Sequence, residues 1–299
     1  MTMRLAITGV DGFVGRHVAT IAAERGHHVV GIAHCAGADV PGVDEMIVAD
    51  LTAGWPQIRS VDAVVHLAGL AAVGPSFDEP RRYLAENAEM MLNLGEALLR
   101  SANPVTRVVA ASTGAIYARS DCPITETAPL SFASPYAVSK GTVDNLLSYY
   151  RARGLDAVAV RPFNHIGPGQ CPGFIVPDLR NQLDALGTGE PLSAGNLDAE
   201  RDYTDVRDVA KAYVLLAEAP RLAHGVYNVA SGHARSGHEV LAELCRAMNR
   251  SVPALTRGSR RPLDLPRVVG DATRLRDELG WAPQIEFAAS IAAAVGVRA

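Results

Sequence analysis

Arg4-Leu5-Ala6-Ile7-Thr8-Gly9-Val10-Asp11-Gly12-Phe13-Val14-Gly15 reads as a buried strand, a glycine turn and the start of an amphipathic helix that runs to about Arg25. The glycines have separate tasks. Gly9 permits the tight turn, Gly12 lets backbone amides approach a pyrophosphate, and Gly15 lets the helix pack closely on the strand. The helix N-terminus, with Phe13 and Val14 in its first turn, then faces the phosphates. The alternative is a glycine-rich turn with no ligand.

Outward from this unit, further apolar segments follow in βαβ rhythm. The expected fold class is therefore α/β, a Rossmann-like doubly wound parallel sheet. The second strand, His28-Val29-Val30-Gly31-Ile32-Ala33, ends where an acid would accept hydrogen bonds from the adenosine ribose of NAD. Ala33, His34 and Cys35 stand there instead, so nothing repels a 2′-phosphate and His34 could contact one. NADP(H) is favoured and NAD(H) admitted; His34 reads equally well as a solvated loop histidine. After the third strand, Met46-Ile47-Val48-Ala49, the pair Asp50-Leu51 could take the adenine amino group, or Asp50 could cap the next turn. The fourth, Ala63-Val64-Val65-His66-Leu67-Ala68-Gly69, ends in small residues that let the chain run close to a flat cofactor.

A long helix from about Pro80 to Arg100 leads to a strand, 107–111, and then Ser112-Thr113-Gly114-Ala115-Ile116-Tyr117. Hydroxyls at the carboxyl end of a parallel strand point into the crevice where such sheets bind ligands, which makes Thr113 a candidate. Tyr136-Ala137-Val138-Ser139-Lys140 places a phenol and an ammonium on one helix face. There the cation is expected to bring the phenol down from its ordinary value near ~10. Such a pair can exchange a proton near neutral pH.

Composition bounds the alternatives. With 299 residues, 48% of them hydrophobic and 20% charged, the chain can build a large core and is not disordered. A net charge of -4 gives no general attraction to nucleic acid. Cys35, Cys122, Cys171 and Cys245 form no Cys-x-x-Cys pair, which argues against structural zinc and a disulfide framework; no metal is expected. With no signal-peptide core and no run of ~20 apolar residues, the reading is a soluble cytoplasmic protein with no membrane partner.

The glycine turn, Asp50-Leu51, His66-Leu67-Ala68-Gly69, Ser112-Thr113, Tyr136/Lys140 and Arg161-Pro162-Phe163-Asn164 together resemble the extended short-chain dehydrogenase/reductases. This is the nucleotide-sugar epimerase/dehydratase/reductase superfamily, and the resemblance spans essentially the whole chain. It implies that Thr113 hydrogen-bonds the substrate oxygen and Tyr136 is the acid/base. It also implies that Lys140 holds the nicotinamide ribose while lowering the tyrosine pKa, and that Pro162 borders the cofactor. The stretch 161–170 most resembles GDP-4-keto-6-deoxy-D-mannose reductases that form GDP-D-rhamnose. Segments 198–208 and 260–264 resemble those that hold the substrate, so Arg201 and Arg261 would bracket its diphosphate, whose oxygens suit forked guanidinium groups. Asn164 would hydrogen-bond the diphosphate or sugar. Arg201 could instead pair with Asp202 or Asp205, and His165 could be a packed loop histidine.

Gly114 and Ala115 occupy positions where the family's 4,6-dehydratases need a carboxyl group, so dehydration is not expected. Ala115 and Ala118 also depart from the pattern of close reductases. The expected activity is an NAD(P)-dependent nucleotide-sugar 4-ketoreductase. The alternative is a 4-epimerase with tightly held NAD, and more remotely a non-catalytic dinucleotide-binding regulator. Residues 1–165 would bind the dinucleotide, and 166–299 would form mainly a substrate lobe with segments returning to the sheet. A homodimer is expected through the helices containing 92–99 and 143–150, whose apolar positions could equally bury against the core.

Overall fold

The structure is a computed structural model that describes residues 2–101, 107–187, 189–258 and 265–296. In chain order its first elements are β1 (Arg4–Thr8), α1 (Phe13–Glu24), β2 (His28–Ala33), β3 (Glu45–Val48), β4 (Ala63–His66) and α2 (Val73–Ser76). Next come α3 (Pro80–Arg100), β5 (Arg107–Ala111), α4 (Pro135–Ala152), β6 (Ala157–Pro162), β7 (Asn164–Ile166), α5 (Ile175–Ala185) and β8 (Leu192–Ala194). Then follow β9 (Glu200–Asp205), α6 (Val206–Glu218), β10 (Val226–Val229), β11 (Ala234–Ser236) and α7 (Gly237–Ala247). The last are β12 (Leu255–Arg257), β13 (Arg267–Val268), α8 (Thr273–Leu279) and α9 (Phe287–Ala294).

Seven strands form one parallel sheet in the order β10-β6-β5-β4-β1-β2-β3. The chain leaves β1 in one direction and returns to β4 on its other side. The carboxyl ends of β1 and β4 therefore flank the crevice where doubly wound sheets bind ligands. Alternation along β1 sends Leu5 and Ile7 to the layer built by α1, α6 and α8, and Ala6 to the layer built by α3 and α4. Burial on both faces is why these strands read as continuous apolar runs. Leu94, Leu98, Val143, Leu147 and Tyr150 face the core, so most of the apolar positions of 92–99 and 143–150 are spent there.

At the amino end of β5, buried Arg107 closes the far edge of the sheet. It donates to Asp156 at 2.9 and 2.6 Å, to the Leu216 carbonyl at 3.0 Å and to the Ala219 carbonyl. β4 stops at His66, three residues before the expected end. Leu67 and Ala68 give their amides to Thr8 Oγ1, and Gly69 turns away with a φ of +155°.

Beyond residue 166, α6, β10 and α8 return to the main sheet. α5, α7 and α9 bury a third cluster with Ile166, Leu192 and Tyr203. The expected boundary at 165/166 falls inside β7, which pairs with β9. Among the described residues, no helix is long and apolar enough to cross a membrane, and no cluster of three or more His, Cys, Asp or Glu could hold a metal ion.

Gly95 is where α3 and α4 come closest, since a Cβ there would lie 2.2 Å from the buried Tyr150 ring. Alanine gains about 1 kcal/mol of helix propensity over glycine, but overpacking costs about 1–3 kcal/mol. Gly95→Ala should therefore lower the urea midpoint. A midpoint at or above the wild-type value would mean that the two helices separate freely.

Candidate active site

The glycine turn is built for close approach. Gly9 has a φ of +63°, and a Cβ on Gly15 would sit 2.1 Å from the Gly9 carbonyl oxygen. Gly12 precedes α1 as a cap without a side chain, and the helix has no acid in its first turn. Its first amides and the positive end of its dipole are thus presented to whatever anion lies over the turn. That cradle, in the crevice between β1 and β4, fits a dinucleotide pyrophosphate. At its rim, Ala33 ends β2 and His34 is exposed beside Asp50. The Thr52 hydroxyl (2.6 Å) and amide (2.9 Å) both bond Asp50 Oδ1 and hold the carboxyl below its usual range. Asp50 thus caps its turn. Leu51 is buried beneath it.

Deeper in the crevice, Thr8 Oγ1 accepts the Leu67 and Ala68 amides at 3.1 Å each and lies 2.9 Å from His66 Nδ1. The hydroxyl has two acceptor sites filled, so its proton goes to the imidazole. Burial, helped by the Lys140 charge, pushes His66 down to about 3, and the ring is neutral. Lys140 Nζ donates to the Ala111 carbonyl at 2.9 Å, and a Cβ on Gly69 would reach within 3.4 Å of it. Asn87 fixes the Gly69 loop: its Oδ1 accepts the Leu70 amide (2.8 Å), and its Nδ2 donates to the Leu70 carbonyl (3.1 Å) and to Ser139 Oγ (2.9 Å).

Tyr136 corrects one expectation. Burial pushes its phenol above the ordinary value, a hydrogen bond with Thr113 partly offsets this, and Tyr83 adds to the rise. The ammonium expected to lower the phenol is engaged with Ala111, so desolvation wins. The phenol is held protonated. Lys140 is itself pushed down to about 8 by burial, against the opposing charge of Asp144.

Thr113 Oγ1 accepts the Ala115 amide at 3.1 Å and faces Tyr136, whereas the neighbouring Ser112 hydroxyl turns to Asp144. Adjacent positions at the strand end thus turn the two hydroxyls to different partners. A Cβ on Gly114 would lie 3.1 Å from the Phe163 ring, leaving little room for a carboxyl side chain.

Behind the crevice runs a polar chain that the sequence did not reveal. Asp144 pairs with Arg161 at 2.7 Å; Arg161 donates to Tyr117 Oη at 2.9 Å; Tyr117 donates to Asn228 Oδ1 at 2.7 Å. Asp144 lies four residues after Lys140, the same spacing that drew attention to Tyr136. That repeat was the available signal.

Pro162 ends β6, and exposed Asn164 begins β7 opposite Tyr203. His165 is a packed histidine: it stacks on Phe13 with ring centres 5.8 Å apart and hydrogen-bonds the Phe163 carbonyl. Arg201 donates to the Glu200 carbonyl at 2.7 Å and faces Arg235 in register. Its suggested acidic partners are committed elsewhere, Asp202 to Ser231, Gly232 and Gly270, and Asp205 to Arg207. Arg261 lies outside the described residues.

Comparison with known proteins agrees with this geometry. A GDP-6-deoxy-D-mannose reductase from Pseudomonas aeruginosa is 34% identical over 98% of this chain and 96% of its own. A UDP-glucose 4-epimerase from Corynebacterium glutamicum is 30% identical over 94% of this chain and 91% of its own. The solved structure of Thermus thermophilus UDP-glucose 4-epimerase with NAD superposes with a TM-score of 0.85 at 29% identity, covering 98% of both chains. Residues 5–230 match the family model, and the chain belongs to the NAD dependent epimerase/dehydratase family.

Proposed function

We propose that this enzyme is a nucleotide-sugar 4-ketoreductase that takes NADP(H) in preference to NAD(H) and reduces GDP-4-keto-6-deoxy-D-mannose or a close relative. The observation that carries the reading is Tyr136: a buried phenol, held protonated and in contact with Thr113 at the carboxyl edge of the sheet. A proton donor in that state suits reduction of a carbonyl. The 34% identical reductase supports the choice of substrate.

The cofactor would be held by Gly9, Gly12, Phe13, Val14, His34, Asp50, Leu51, Leu67, Ala68, Gly69, Tyr136, Lys140 and Pro162. When bound, it supplies the hydride. Tyr136 gives its proton to the oxygen at carbon 4, and Thr113 orients that oxygen. Lys140 holds the ribose. Arg201, with Arg235 across the ladder, and Arg261 take the diphosphate, and Asn164 takes the sugar or diphosphate. The tight fit of Gly114 against Phe163 disfavours dehydration. Two copies would pair through the outer faces of α3 and α4, where Leu84, Leu92, Val138 and Tyr149 are exposed. The 30% identical epimerase favours a second reading, 4-epimerisation with retained NAD.

NADPH absorbance should fall when the protein meets GDP-4-keto-6-deoxymannose, and Tyr136→Phe should cut kcat by about 10²–10⁴ with no loss of thermal stability. Bound NAD after purification, with interconversion of UDP-glucose and UDP-galactose and no net cofactor use, would favour the epimerase instead.

The free-enzyme pH profile has a defined sign. Lys140 is charged below its value of about 8 and loses its proton above it, so kcat/KM should hold through pH 7 and fall as the pH rises through about 8. Ala33→Asp should move the preference from NADPH towards NADH by restoring a ribose-binding carboxylate and repelling a 2′-phosphate. An unchanged ratio of the two kcat/KM values would place the 2′-hydroxyl elsewhere.

A further inference from the structure

The Asp144–Arg161 pair lies beneath the crevice rather than in it. Its side chains are 8% and 7% exposed. Arg161 grips one carboxylate oxygen, Oδ2, with two nitrogens, Nε at 2.8 Å and Nη2 at 2.7 Å. Ser112, just after β5, lies beside the carboxyl, and neither the other oxygen, Oδ1, nor Ser112 Oγ has a well-aligned partner among the described residues. Asp144 is one helical turn from Lys140, on the same face of α4.

Groups from several elements face the Lys140 ammonium. β4 contributes His66, which is neutral, and α4 contributes Asp144, while Tyr136, one turn before Lys140 on α4, keeps its proton and puts no charge beside it. Beyond Asp144, β6 contributes Arg161. Asp144 is the negative charge that opposes the burial of Lys140; burial pushes its own carboxyl above the ordinary range, and the Arg161 charge, Ser112 and Lys140 draw it back. As a structural staple between α4 and β6 the pair would be a poor investment, because buried ion pairs seldom stabilise more than apolar replacements do.

We propose that Asp144 is a positioning residue for Lys140: anchored by Arg161 and flanked by Ser112, it keeps a negative charge one turn below the ammonium, which holds Lys140 protonated and directed to the crevice. The consequence for cofactor binding rests on the site reading above; the effect on Lys140 itself does not.

The chain is well suited to a direct test, because only two of its 28 basic residues are lysines, Lys140 and exposed Lys211. Lys211→Arg leaves one lysine, whose side-chain NMR signal can be titrated in the ligand-free protein. In that background Asp144→Asn should move the Lys140 titration down by about one pH unit or more, and Asp144→Glu should restore most of it. If Asp144→Asn does not fold, Asp144→Asn with Arg161→Gln removes the pair without leaving a buried charge; the titration should again move down, by less than in the single variant because a nearby cation is lost with the carboxylate. A titration left in place by loss of the carboxylate, with only thermal stability reduced, would overturn the proposal. NADPH affinity measured on the same proteins is a separate arm. It should weaken with rising pH at lower pH in Asp144→Asn than in Asp144→Glu. Failure of the wild type to bind would count against the site reading, while the titration still decides the role of Asp144.

Discussion

Desolvation of Lys140 and Tyr136 at the carboxyl edge of the sheet is the constraint on which the rest of the site depends. A buried ammonium is costly, and this one is pushed down to about 8 even with Asp144 nearby. The same burial pushes the phenol up. One physical cause thus moves both groups towards their neutral forms. For the tyrosine that means a phenol that keeps its proton, and for the lysine it creates a need for a counter-charge.

The surrounding structure answers that need in layers. The Ala111 carbonyl accepts from the ammonium, and Gly69, with no side chain, lets the loop after β4 pass beside it. Asn87 ties that loop to α4 through Ser139. Behind Lys140, the chain of hydrogen bonds from Asp144 through Arg161 and Tyr117 to Asn228 reaches the loops around Ile124 and Asp271, whose carbonyls accept from Asn228 at 2.9 and 3.2 Å. Helix, strand and lobe are thereby tied together around the pair. A second tie runs above it: His165 stacks on Phe13, and His17 meets the Pro168 carbonyl at 3.0 Å, joining β7 and the loop after it to α1.

Much of this was legible in the linear chain. β1, β2 and α3 begin and end where their residues predict, because strands buried on both faces and a 21-residue helix leave strong periodic signals. Gly9 and Gly15 were legible because a positive φ at the first and the contact of the second with the Gly9 carbonyl leave no room for a Cβ. The end of β4 was not, since apolarity continues through Leu67 and Ala68 while their amides are captured by a hydroxyl 60 residues away. Nor were the partners of Asp202 and Asp205 near Arg201. Neighbouring charges in sequence suggested an ion pair, whereas strand alternation turned Asp202 to backbone donors and gave Asp205 to Arg207.

The sequence by itself determined the parallel sheet and the glycine turn and singled out Thr113, Tyr136 and Lys140 as candidates, because those rest on local spacing and residue type. Only the tertiary structure decided the state of those groups. The sign of the tyrosine shift depends on burial, on Thr113 brought from the turn after β5 and on Tyr83 brought from α3. The charge of Lys140 depends on Asp144, which stays buried because Arg161 arrives from β6. Protonation is set by the balance of solvent exclusion and neighbouring charge, and both exist only once distant segments have packed.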